Sequence, residues 1–131
     1  QPLVASHSNA HALTPVARNL TDRQLDAIRE TKGIVGLNYA VTMLRPDARD
    51  SADTPISDMV RHVDYLVERM GIEHVALGSD FDGATIPAAI GDAGGTQNLV
   101  AALRGAGYGD DDLKKICREN WLRILASAWL E

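Results

Sequence analysis

Three polar residues on loops carry the chemistry this sequence can offer: His7 in Ser6-His7-Ser8-Asn9-Ala10, Arg18 in Arg18-Asn19-Leu20-Thr21-Asp22, and Asp80 in Gly78-Ser79-Asp80-Phe81-Asp82-Gly83. His7 follows directly on an apolar run, a place from which an imidazole can project into a crevice and ligate a metal. A loop histidine that only hydrogen-bonds locally would read the same way. Asp80 ends a second apolar run, where a carboxylate can bind a metal, hold a cationic substrate group or shuttle a proton. Asp82 lies two residues on, so in extended chain the two carboxylates point the same way. A turn with Gly83 in a left-handed conformation accounts for Asp82 and leaves Asp80 for function. Arg18 can clamp a carboxylate through two parallel hydrogen bonds, although most loop arginines are solvated surface residues. His11, His62 and His74 have weaker claims: His62, four residues after Asp58, reads as a helix-face residue, and His74 opens a strand at the end away from these loops.

The elements that must position these residues alternate. Apolar runs at Pro2–Ser6, Ile34–Tyr39 and His74–Ser79 read as strands, and the last two are apolar on both faces, as strands covered on both sides are. Between them lie helical patterns. Thr21 and Gln24 have capping-box spacing, with Leu20 and Leu25 placed as a hydrophobic staple and Gly33 as a left-handed stop. Thr54 can cap a second helix with Pro55 at its first position, Ile56, Met59, Val60, Val63, Val67 and Met70 on its buried stripe, and Gly71 at its end. A third helix is expected over Asn98–Arg104. A fourth runs from Asp110 to the end with Leu113, Ile116, Cys117, Trp121, Ile124, Leu125 and Ala128 on one face. The order β-α-β-α-β-α-α predicts a parallel sheet, with long loops at residues 7–20, 40–54 and 80–97, on the side where α/β proteins keep their chemistry.

Composition narrows the partners. The 131 residues are 45% hydrophobic and 24% charged, as expected of one globular unit, and the formal net charge of −5 without a Lys/Arg cluster argues against a nucleic-acid partner. A single cysteine, Cys117, rules out an intrachain disulfide or a cysteine-rich metal cluster, and its helical setting predicts packing. No apolar stretch approaches the roughly 20 residues of a membrane span. A soluble setting is expected, with the cytoplasm favoured.

Taken together and in register, the His7, Arg18 and Asp80 segments resemble the C-terminal part of the renal or membrane dipeptidases, and the similarity extends through Asn120-Trp121-Leu122-Arg123. That family is a (β/α)8 barrel of the amidohydrolase type with two zinc ions bridged by a glutamate. The resemblance implies that residues 1–131 form a partial barrel, about strands 6–8 with their helices plus a terminal helix. It makes His7 a ligand of one of the two zinc ions, Arg18 the partner of the substrate's terminal carboxylate, and Asp80 the contact for the free amino group and the proton relay to the leaving amine. It implies a dipeptide substrate, including those with a D-residue at the carboxyl end, and a homo-oligomer of the complete enzyme.

The family's other ligands come from earlier strands: a His-x-Asp pair, the bridging glutamate and a second histidine. None of those segments occurs here, and the chain opens on Gln1, so residues before it are expected to have been removed or omitted. One ligand falls short of the three or more a zinc site needs, and three parallel strands cannot close a barrel. The chain is therefore expected to work beside the missing N-terminal part of the barrel. A non-catalytic half-barrel used for binding or assembly, or a related metal-dependent amidohydrolase with no need of Arg18, are the competing readings. Alone, the chain should aggregate or stay partly molten. Size-exclusion chromatography with mass analysis tests this, and a monodisperse, well-folded 14.1 kDa monomer would overturn it.

Overall fold

The structure, a computed structural model, describes residues 1–130. Three strands, β1 (Val4–Ala5), β2 (Ile34–Leu37) and β3 (Val75–Leu77), form a parallel sheet in chain order. Each is shorter than the apolar run that announces it. Beyond Leu37 the side of β2 that faces β1 turns to a side-chain partner, the Asn38 N–H donating to Asn9 Oδ1 at 2.9 Å, while on the β3 side the Tyr39 N–H still donates to the Ser79 carbonyl at 2.8 Å.

Helix α1 (Asp22–Glu30) starts on the capping box read from the sequence, with Gln24 N–H donating to Thr21 Oγ1 and Thr21 N–H to Gln24 Oε1. Its end differs from expectation. Lys32 takes the left-handed conformation, at φ 59°, and Gly33 is required because a β-carbon there would overlap the Leu3 carbonyl oxygen. A short helix, α2 (Val41–Leu44), stands inside the loop expected at residues 40–54. Helix α3 (Ile56–Met70) buries Met59, Val63, Leu66 and Met70 and stops at Gly71, whose φ of 92° suits glycine. Thr54 does not cap it: Pro55 holds that place, and the Thr54 hydroxyl donates to the Ser51 carbonyl at 2.6 Å.

Helix α4 (Thr96–Gly105) is followed by α5 (Asp110–Lys114), which passes through a π turn at Lys115–Glu119 into α6 (Asn120–Trp129). The wider turn shifts the phase of the apolar stripe. Leu113, Ile116 and Ile124 remain buried, but Cys117 is exposed, contrary to the packing expected of it.

The two faces of the sheet carry different loads. Val35, Leu37 and Val75 pack into the main core with Leu25 and Ile28 of α1, Met59 and Val63 of α3, and Leu99 of α4. On the opposite face Ile34 and Ala76 meet Ile124 and Trp121 of α6. That helix also caps backbone carbonyls. Asn120 Nδ2 donates to Ile72 and Val75, Trp121 Nε1 to Leu77 at 3.0 Å, and the Arg123 guanidinium to Lys32 and Glu73. The Asn-Trp-Leu-Arg segment thus ties the last helix to strand ends. The edge at β1 is more open, with Leu3 and Val4 each 48% exposed.

Glycine keeps the second face shallow. A β-carbon at Gly36 or at Gly78 would overlap the same atom, the Ser6 carbonyl oxygen, so β1 leans across β2 toward β3 where those two strands lack side chains. Gly36→Ala should therefore lower stability by about 1–3 kcal/mol, the range for forced overpacking against an atom that cannot rotate away. Urea unfolding checks this, and an unchanged midpoint would show that β1 does not approach so closely.

Candidate active site

The loops leaving the carboxyl ends of the strands are held by three buried asparagines. Asn9 pairs with the backbone of Asn38 in both directions: its Oδ1 accepts the Asn38 N–H, and its Nδ2 donates to the Asn38 carbonyl at 2.9 Å. Asn19 Oδ1 accepts the Asn9 N–H, while its Nδ2 donates to the Thr14 and Met43 carbonyls, each at 3.0 Å. Asn38 turns its own side chain toward the third loop. Its Nδ2 donates to Asp80 Oδ2 at 3.0 Å and to the His7 carbonyl at 3.3 Å, and its Oδ1 accepts the Ala40 N–H at 2.7 Å. Asn9 and Asn38 are wholly buried. Buried carboxamides are costly unless paired, and these are paired across all three loops.

His62 supplies a second tie: expected as a helix-face residue, it lies on the face of α3 that is wholly buried. Its Nδ1 accepts the Ala10 N–H at 3.2 Å, which places the ring proton on Nε2, facing the Leu44 carbonyl at 3.1 Å and Thr14 Oγ1 at 3.2 Å. Desolvation, with Arg61 nearby, holds its pKa down to about 4. Protonating Nδ1 would also set a new N–H against that of Ala10. In the sequence only its spacing, three residues after Met59 and one before Val63, hints at burial.

His7 stands half-buried just past β1, with Nδ1 2.7 Å from Ser6 Oγ. Arg18 is exposed, and its carbonyl accepts from Ser8 Oγ at 2.7 Å. Arg18 and Asp80 line one open cleft of about 320 Å³, floored by Ala40, Met43 and Gly83. The chain around Asp80 is not extended: Ser79, Asp80 and Asp82 have φ of 30°, 74° and 63°. Asp82, and not Gly83, is left-handed, so the same-side argument for the two carboxylates does not hold. Gly83 leaves room for Asp80, since a β-carbon there would meet Asp80 Oδ1 and push that carboxylate aside. His74 lies at the other end of the sheet, its Nδ1 2.8 Å from the Gly33 carbonyl.

A larger cleft of about 490 Å³ between α1 and α3 is lined by Asp26, Arg29, Tyr65, Glu68 and Arg69. Most of its charges are paired with one another, Arg69 gripping Asp26 through two bonds of 2.9 and 2.7 Å and Arg29 lying 3.8 Å from the same carboxylate. The smaller cleft, at the carboxyl ends of the strands, is the candidate site. Among the described residues no three His, Cys, Asp or Glu side chains converge to hold a metal. His7 has the form of a single ligand, an imidazole steadied at one nitrogen with the other available.

The sequence profile of membrane dipeptidases (peptidase family M19) matches residues 1–129. The chain belongs to that family. Among M19 structures, the dipeptidase AC, a metallopeptidase, is 54% identical and superposes with a TM-score of 0.96 over 98% of this chain and 38% of its own. A metallopeptidase from Rhodobacter sphaeroides, liganded with a phosphinate mimic of the dipeptide L-Ala-D-Ala, is also 54% identical, with a TM-score of 0.96 over 98% of this chain and 36% of its own. An uncharacterised Klebsiella pneumoniae protein from the pqqA 5′ region is 54% identical over 128 residues. Those residues are 98% of this chain and 47% of that protein, so the M19 chain described here spans less than half the length of these relatives. No helix among the described residues is long and apolar enough to cross a membrane.

The buried His62 makes loop anchoring in this M19 chain pH-dependent. The unfolded chain binds the proton near pH 6.5 and the folded one only near 4, so between those values the unfolded state holds more protons. Stability should therefore fall as the pH drops from about 6.5 to about 4, by roughly 3 kcal/mol from this residue. Denaturant titrations across that window should show a flatter profile in His62→Gln, and an equally steep one would assign the acid sensitivity elsewhere.

Proposed function

We propose that this chain forms the C-terminal portion, about strands 6–8, of a (β/α)8 dipeptidase barrel that hydrolyses dipeptides with zinc. The observation that carries the reading is the cleft in which a guanidinium and a carboxylate, Arg18 and Asp80, line one cavity of about 320 Å³. That volume sits at the small end of ligand sites. A free dipeptide offers the complementary pair, a carboxylate at one end and an ammonium at the other. Arg18 binds the first and Asp80 the second, and together they select for length. The dipeptide mimic bound by the Rhodobacter sphaeroides relative supports this choice of substrate.

His7 serves as one metal ligand in this reading. The remaining ligands belong to strands present in the longer relatives and outside this chain. Zinc, when bound, supplies an acidified water and a polarised scissile carbonyl. Arg18 fixes the substrate so that its peptide bond faces the metal side of the cleft. Asp80 holds the free amino group, takes up the proton that the attacking water gives up and passes it to the departing amine nitrogen, which leaves as a neutral amine. A D-residue at the carboxyl end is within the range of substrates proposed.

Kinetics of the complete enzyme on Ala-Ala test the roles. Arg18→Ala should raise KM about 10- to 100-fold, the worth of lost charge-assisted hydrogen bonds. Asp80→Asn should lower kcat about 10²- to 10⁴-fold, as removal of a general acid does. His7→Ala should lower the bound zinc measured by elemental analysis. Full activity in Arg18→Ala would favour an amidohydrolase without a carboxylate clamp, and full activity in Asp80→Asn would remove it from the chemistry.

A further inference from the structure

The residue that faces Asp80 from the neighbouring strand is Asn38, and its surroundings leave it little freedom. It is wholly buried at the end of β2. Its Oδ1 is occupied by the Ala40 N–H at 2.7 Å, which fixes the orientation of the carboxamide and aims Nδ2 at Asp80 Oδ2, 3.0 Å away. Its backbone is clasped on both sides by Asn9, so the strand end is held by bonds that do not involve the Asn38 side chain. A side chain needed only to fill space would be served by an apolar residue. This one aims a donor at the carboxylate.

The space on the other side of Asp80 is kept clear for its carboxylate. Its second oxygen, Oδ1, lies over Gly83, where a β-carbon would collide with it. Its backbone sits at φ 74°, between Ser79 at 30° and Asp82 at 63°, a run that non-glycine residues adopt only when surrounding contacts impose it. The strain is retained where the carboxylate enters the cleft.

We propose that Asn38 is a positioning residue for the amino-group end of the substrate site: its Nδ2–H occupies Oδ2 of Asp80 and turns the carboxylate toward the ammonium of the dipeptide. This rests on the reading of Asp80 given above. Asn38 touches no substrate. It acts on the substrate through Asp80; its other amide hydrogen meets the His7 carbonyl at 3.3 Å, so the zinc content of each variant reads that second contact and the ammonium preference reads the one to Asp80. Misplacement of a polar group by about 1 Å is worth up to about 10²-fold in rate.

The test uses the complete enzyme and three ligands: Ala-Ala, propionyl-alanine, which lacks only the ammonium, and alanyl-alaninamide, which lacks only the carboxylate charge. Asn38→Asp is nearly isosteric, keeps the acceptor for the Ala40 N–H and replaces the donor with a second carboxylate, and Asn38→Ala removes the donor without adding charge. Both variants should lower kcat/KM for Ala-Ala about 10- to 100-fold. The preference for Ala-Ala over propionyl-alanine should shrink by a similar factor, and the preference over alanyl-alaninamide should stay within about twofold. Zinc content and melting temperature, measured alongside, identify variants that have lost the fold, and Asn38→Asp decides if Asn38→Ala has. A parallel fall in both preferences would make Asn38 a general structural residue, and no change in either would remove it from the site. Asp80→Asn run in the same assay separates the two claims. If it leaves the preference for the ammonium intact, the reading of Asp80 falls and takes this inference with it. If that preference collapses in Asp80→Asn and persists in both Asn38 variants, the inference alone is overturned.

Discussion

A carboxamide sealed from water is tolerable only when each of its donors and acceptors finds a partner, and the arrangement of this chain turns on that requirement at Asn9. Its side chain imitates a neighbouring strand, taking the N–H and the carbonyl of Asn38 just where the ladder between β1 and β2 gives out. The loop after β1 and the end of β2 therefore cannot move independently. Asn19 and Thr14 join the same arrangement through the Met43 and Leu44 carbonyls, which brings the short helix α2 under it. Displacing any one partner strands a polar group in a dry place, and this is why the carboxyl ends of the strands hold one geometry.

The lower half of the molecule is built differently. There the outer helices cover Val35, Leu37 and Val75 by apolar contact, and α6 ties down strand carbonyls with Asn120, Trp121 and Arg123. Apolar packing is forgiving of shape so long as volume is kept, whereas hydrogen-bonded loops are directional. Strain collects at the junction. Ser79, Asp80 and Asp82 take left-handed backbone immediately beyond β3, in the one loop that Asn9 does not reach directly. Asn38 ties the Asp80 carboxylate of that loop to the rest, beside the backbone bonds from Tyr39 N–H to Ser79 and from Val41 N–H to Thr85.

Much of this frame is legible in the sequence. The capping box at Thr21 and Gln24, the stripe from Met59 to Met70 and the three apolar runs each reflect a periodic or positional rule, and each marks an element that forms. The site's supports are less so. Asn9, Asn19, Asn38 and His62 act through partners up to 52 residues away, and no local pattern encodes such pairings. The glycines mislead for a related reason. Gly33 and Gly83 look like left-handed stops, but the neighbouring Lys32 and Asp82 carry that conformation, while the glycines make room for an atom of Leu3 and of Asp80. Proximity of that kind is a property of the folded chain. Cys117 falls out of its expected stripe because one π turn changes the phase, and nothing in the residues Lys115–Glu119 announces it.

Loops are ordinarily where backbone hydrogens trade fastest with solvent, because their N–H groups face water. Here the N–H groups of Asn9, Ala10, Asn38 and Ala40 are held by the buried side chains of Asn19, His62, Asn9 and Asn38 respectively. Their exchange requires the loops to detach from one another, an opening that also exposes His62 and breaks the bond to Asp80. These loop amides therefore belong with the slow, core-like class, and isotope exchange at four backbone positions outside the strands would report on the integrity of the cleft itself.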